Sequence, residues 1–188
     1  MKKMNIFDRM TTGFYSSEFF RRMFVNELAA QDTQSMQLIS KLLPDNCYTP
    51  FTSYSLSPTI IAHIINEIIL LKRATIVEFG SGVSTLIIAR LISLHNLDAK
   101  LYSVDHDTDW HHSLGNTLMA EDIHRNVELI CSDIIPVSGC EDQSDNWYSK
   151  EVLDAQLPGG VDLVIVDGPT HSVGALSRYH AVPYLKDR

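Results

Sequence analysis

The sequence predicts an α/β fold, a doubly wound and mostly parallel sheet behind an N-terminal helical cap. From residue 74 onward, short apolar runs alternate with amphipathic stretches, the pattern of parallel strands joined by crossover helices. Within that region, Thr75-Ile76-Val77-Glu78-Phe79-Gly80-Ser81-Gly82-Val83-Ser84-Thr85 is a β-branched strand that enters a Gly-x-Gly turn and then a helix. Before it, apolar residues recur at helical spacing.

The cap comes first. Phe19, Phe20, Met23, Phe24, Leu28, Leu38, Ile39, Leu42 and Leu43 are spaced as a helix or helix pair over residues 16 to 43 requires. Pro44 to Pro58 is a turn-rich connection containing Cys47, Tyr48, Pro50, Phe51 and Tyr54. Ser57-Pro58 supplies an N-cap followed by proline at the first helical position. The helix that starts there runs through Ile60, Ile61, Ile64, Ile65, Ile68 and Ile69, an apolar face that must pack on something large.

Strands are expected at 75 to 79, 100 to 104, 127 to 131 and 162 to 167. Helices are expected at about 84 to 95, 107 to 124, 147 to 156 and 173 to 185. The acidic stretch Gly139 to Asn146 reads as a surface loop, and Cys131, at the end of an apolar run, reads as core. The domain division that follows is a cap and connection over residues 1–58 and one compact sheet domain over residues 59–188.

Composition narrows the function classes. The chain has 188 residues, 45% of them hydrophobic and 20% charged, which suits a single buried core. A formal net charge of −8 argues against a nucleic-acid partner, because affinity for the phosphate backbone rests on clustered Lys and Arg. It favours a small-molecule or protein partner. No apolar stretch has the length of a signal peptide or a membrane span, so the expected location is cytoplasmic and no membrane partner is expected. Cys47, Cys131 and Cys140 lack zinc-site spacing, and His106, His111, His112 and His171 match no metal motif, so no metal site is expected.

The Gly-x-Gly turn is where chemistry is expected. Gly80 and Gly82 allow a ligand to approach the main chain closely beside a helix N-terminus. A dinucleotide fingerprint would place a third glycine at position 85, where Thr85 stands, which weakens an NAD(P)-dependent oxidoreductase reading.

Glu78-Phe79-Gly80-Ser81-Gly82 resembles instead the acid-x-Gly-x-Gly first motif of class I S-adenosylmethionine (SAM)-dependent methyltransferases, which have a Rossmann-like fold. Three further segments extend the resemblance in order. Leu101-Tyr102-Ser103-Val104-Asp105 looks like the second motif, Val127 to Asp133 like the third, and Asp162 to Pro169 like the fourth. The acids fall at or just beyond strand ends, the edge where open α/β sheets bind ligands.

The resemblance implies SAM as cofactor, held by Glu78, Gly80, Ser81, Gly82, Ser84, Thr85, Asp105, His106 and Asp133. Asp105 would accept the ribose hydroxyls, as an acceptor-only carboxylate can, and Asp133 the adenine amino group. Trp110 would stack near the adenine or join the core. Asp167 would border the methyl-transfer centre, with His171 a candidate base in the loop beyond it, because a neutral imidazole can take a proton. Asp167-Gly168-Pro169 followed by Arg178-Tyr179 loosely resembles a bacterial subgroup of poorly defined substrates.

The chain departs from the family pattern after residue 188, before the fifth strand and the final hairpin of the usual sheet. Strand 162–167 is then expected at an apolar sheet edge, to be covered by a second copy of the chain or by the N-terminal segment. The same departure sustains an alternative, a SAM-binding or partner-binding remnant without turnover.

Overall fold

The computed structural model describes residues 6–44, 49–137, 145–174 and 176–186. Its first element, α1 (Ile6–Ile39), runs on into a 3-10 turn at Ser40–Leu42, and α2 (Pro58–Leu70) follows the connection. The sheet domain then alternates β1 (Thr75–Phe79), α3 (Val83–His95), β2 (Lys100–Asp105), α4 (Thr108–Ala120) and β3 (Val127–Cys131). A hairpin of β4 (Ile134–Pro136) and β5 (Asn146–Tyr148) comes next, then α5 (Lys150–Gln156), β6 (Leu163–Val166) and α6 (Ala181–Leu185).

The main sheet is parallel throughout, in the order β3-β2-β1-β6. The switch of direction beside β1 marks it as doubly wound, and a crevice opens beyond the strand ends at such a point. Period-two alternation divides the core between the two faces. Ile76, Leu101 and Ile165 face Ile87, Ile88 and Leu91 of α3 and Ile61, Ile64 and Ile68 of α2. Val77, Phe79, Val104 and Ile130 meet Trp147, Tyr148, Leu153 and Ala181 on the other side. Each fully buried isoleucine contributes about 2 kcal/mol by area, so the α2 and α3 faces are main sources of cohesion.

Helix starts follow local chemistry. Ser57 Oγ accepts from Ile60 N ahead of Pro58, the capping expected from Ser57-Pro58. Asp107 Oδ1 likewise accepts from Trp110 N at the start of α4. Near its C-terminal end α1 packs on α2, where Asp32 Oδ1 accepts from both Thr59 N and Thr59 Oγ1 and Ile39 enters the core. Earlier in α1, Phe19, Phe20, Met23 and Phe24 are exposed.

Several expectations need correction. Trp147 and Tyr148 begin no helix: they form β5, and α5 starts only after Ser149, whose Oγ accepts from Val152 N. Of the helix expected over 173 to 185, only Ala181–Leu185 is helical among the described residues, and 176–180 are turn. Cys131 is exposed, because β3 is an edge strand and Cys131 is its last residue. Of the expected surface loop, residues 139–144 lie outside the described residues, while Asp145 is buried and Asn146 opens β5. Among the described residues, no helix is long and apolar enough to cross a membrane.

Candidate active site

Strand alternation turns Glu78 toward α3, and the register sets it beside Ser103 of β2. Its carboxylate is fully buried and accepts from Ser84 Oγ at 2.5 Å, Thr85 Oγ1 at 2.5 Å and Ser103 Oγ at 2.7 Å. All these donors are neutral hydroxyls. Burial pushes the Glu78 carboxyl above its usual range, the hydroxyls oppose that, and the charge of Asp167 adds to it.

The turn after β1 is braced on every side. Gly80 has φ +95°, a conformation that favours glycine, and its N–H donates to Val104 O at 2.8 Å. Ser81 N donates to Asp105 Oδ2 at 2.9 Å and Gly82 N to Thr85 Oγ1 at 2.9 Å. Trp110 Nε1 donates to Ser81 O at 2.8 Å, tying α4 to the turn. The other oxygen of Asp105, Oδ1, takes His106 N at 2.7 Å and Asp107 N at 2.9 Å. The amides of Gly80, Ser81 and Gly82 therefore all have partners inside the protein.

A cavity of about 680 Å³ opens at these strand ends, within the range of roughly 300–1,000 Å³ usual for small-molecule sites. Gly80, Ser81, Gly82, Ser84, Asp105 and His106 line it at the ends of β1 and β2, and Asp167, Gly168, Pro169, Thr170, His171 and Ser172 line it beyond the end of β6, where Gly168 abuts Gly80. Pro50, Thr52, Tyr54, Ser55 and Leu56 of the connection also line it, with Trp110 and Tyr148. Eight residues expected from the sequence thus share one cavity: Gly80, Ser81, Gly82, Ser84, Asp105, His106, Asp167 and His171. Glu78 and Thr85 are buried behind the wall, and Asp133 is exposed and stands outside it.

Asp167 follows β6, its N–H donating to Phe79 O, and its carboxylate pairs with Arg178 at 3.1 Å. Burial raises its carboxyl above the ordinary value, and the Arg178 guanidinium partly offsets this. Tyr148 carries no signal in the sequence, because an Asn-Trp-Tyr triplet in a short hairpin has no period to read. Its ring stacks on Phe79, and its buried hydroxyl has no hydrogen-bond partner among the described residues. Burial, with the charges of Asp105 and Glu78, raises the phenol so that it stays protonated.

A family model described as a methyltransferase domain matches residues 77–187, from β1 onward. No curated protein matches the sequence. Among solved structures, an SAH-bound methyltransferase of Podospora anserina, PaMTH1, is 16% identical with a TM-score of 0.46, covering 73% of this chain and 50% of that one. A protein-L-isoaspartate O-methyltransferase is 17% identical with a TM-score of 0.38, covering 59% of this chain and 37% of that one. The chain thus spans half the length of the first and less of the second.

Proposed function

The chain belongs to the methyltransferase-domain family, and from that premise we propose that it transfers the methyl group of SAM to a small-molecule or protein acceptor through oxygen or nitrogen. The observation that carries this reading is the polarity of the Gly-x-Gly wall. A loop that cradles phosphates offers free backbone N–H groups to the anion. Here the amides of Gly80, Ser81 and Gly82 are satisfied internally, and Asp105 and Asp167 face the same cavity. Such a site suits a cationic ligand with hydroxyl and ammonium donors, as SAM is, and opposes a pyrophosphate, which counts against NAD or NADP.

Asp105 would take the ribose hydroxyls, with His106 beside the base, and Gly80, Ser81, Gly82 and Ser84 would form the wall against the cofactor. Glu78 and Thr85 would hold that wall from behind. For Asp133 to reach the adenine amino group, as the resemblance implies, the segment after β3 would have to turn inward. Bound SAM supplies an activated methyl group, and the chain's own part is to align the acceptor and exclude water. Asp167 and His171 line the same cavity beyond the end of β6, where an acceptor proton could be held or taken. The segment Pro50–Leu56 would close over the acceptor. A second copy of the chain is the proposed cover for β6, which ends the sheet, and light scattering of the purified chain tests for that homodimer.

The test is a thermal-shift panel with SAM, S-adenosylhomocysteine, NAD and NADP. At 100 times its dissociation constant a true ligand stabilises the fold by roughly 2.7 kcal/mol. Stabilisation by the first two and not by the nicotinamide cofactors is the expected result, and the reverse pattern would refute the reading. SAM binding with no methyl transfer to any acceptor pool would favour the remnant.

Asp167→Asn separates binding from turnover. Its kcat is expected to fall about tenfold, the scale of one charged hydrogen bond, and SAM affinity far less. A carboxyl raised in the folded state favours the protonated form, so its stability contribution is present at low pH and lost as pH rises through the raised value. Asp167→Asn should therefore also raise the melting temperature slightly at neutral pH. Equal losses of SAM affinity and rate would reassign the residue to cofactor binding.

A further inference from the structure

We propose that the exposed stretch of α1 is a pairing surface for a second copy of the chain, with the two helices antiparallel. α1 is 34 residues long but meets α2 near its C-terminal end, through Asp32, Ser35, Met36 and Ile39. Every residue from 19 to 31 is exposed, about 20 Å of helix without cover. Phe19, Phe20, Met23, Phe24 and Leu28 share one side of that stretch, at three- and four-residue spacing. At about 100° per residue, this side is turned by roughly 100° from the one that α2 covers. A helical stretch of that length without packing is marginal in water, so a partner on its apolar side has stability to contribute.

Area and charge both fit a copy of the same chain. The five side chains are 44–65% exposed. With about 200 Å² for a whole phenylalanine side chain, they offer on the order of 550 Å² per copy and about 1,100 Å² per pair, the size at which a specific interface becomes stable. With a two-fold axis at Phe24, Phe20 meets the partner's Leu28, and Arg21 comes level with the partner's Glu27. A parallel pair would set Arg21 level with Arg21 and Glu27 with Glu27, like charge against like. A lipid surface fits less well. Arg21 and Arg22 are both paired with Glu18, and with Glu27 and Asp32 the stretch has no positive excess to attract anionic headgroups. The surface lies on α1, apart from the β6 edge, and does not depend on the cofactor.

Sedimentation velocity over a concentration series of the full chain tests the pairing. The parent should self-associate, and the double variant Phe20→Glu with Phe24→Glu should weaken that association at least about a hundredfold, halving the assembled mass. Arg21→Glu should weaken it roughly twofold to tenfold, and adding Glu27→Arg in the same chain should restore it, because the antiparallel register joins these two positions across the pair. This charge swap keeps the apolar side intact, so it decides the matter even where the double variant does not fold. A monomeric parent, an assembly whose mass the double variant leaves unchanged, or a charge swap that restores nothing would overturn the proposal. An assembly held through β6 alone gives the second of these results. A monomeric parent that co-sediments with phosphatidylcholine–phosphatidylserine vesicles, and loses this with the double variant, would reassign the surface to lipid.

Discussion

Asp105→Ala is expected to weaken binding of SAM and of S-adenosylhomocysteine alike, by roughly ten- to hundredfold, the consequence of losing one charged hydrogen bond of about 1.5–3 kcal/mol. Both ligands carry the same ribose diol, so the loss should not discriminate between them. From the sequence, Asp105 stands one residue past the apolar run Leu101 to Val104. In the structure it is the last residue of β2 and also a brace, accepting Ser81 N, His106 N and Asp107 N. The alanine variant therefore loosens the Gly-x-Gly wall as well as removing the ribose acceptor. Asp105→Asn keeps one oxygen and should fall between. Calorimetry on the folded variants decides the point, and unchanged affinity for both ligands would remove Asp105 from the cofactor site.

Gly80→Ala should destabilise the fold by about 3 kcal/mol, which combines roughly 1–2 kcal/mol for a side chain at left-handed φ with about 1–3 kcal/mol for overpacking. A Cβ at Gly80 would lie 2.6 Å from Gly168 N and 2.9 Å from Gly168 Cα, backbone atoms that cannot swing aside. The contact is reciprocal, since a Cβ at Gly168 would lie 2.6 Å from Gly80 Cα. For a chain of this length the melting temperature should fall by roughly 6 to 12 °C. Gly82→Ala is the control. An added Cβ there meets nothing within 4 Å, and the φ of −174° is extended backbone that any residue adopts. Its unfolding should shift by under about 0.5 kcal/mol. Equal melting temperatures for the two variants would mean that the close approach of the β1 and β6 ends is not essential.

The sequence was most legible where a local rule acts. The apolar runs gave all four strands of the main sheet, and Ser57-Pro58 gave the start of α2. Strand-end acids beside Gly-x-Gly located the cavity, because parallel strands put their carboxyl ends on one edge. What escaped depends on partners distant in the chain. The β4–β5 hairpin is too short to show a period and is separated by the segment 137 to 145. Without it, Trp147-Tyr148 reads as the start of α5, and the place of Tyr148 in the cavity is lost. That Glu78 is shut off from the cavity depends on Ser103, which comes beside it only through the β1–β2 register. Cys131 ends an apolar run yet is exposed, because strand order leaves β3 at an edge.

The most direct test of the central claim is a crystal structure of the chain with S-adenosylhomocysteine. The ribose hydroxyls should lie within hydrogen-bond distance of the Asp105 carboxylate, with the ligand inside the cavity that Ser81 and Asp167 line. A ligand bound outside the cavity lined by the Gly-x-Gly turn and Asp167, or one whose ribose points away from Asp105, would contradict the account.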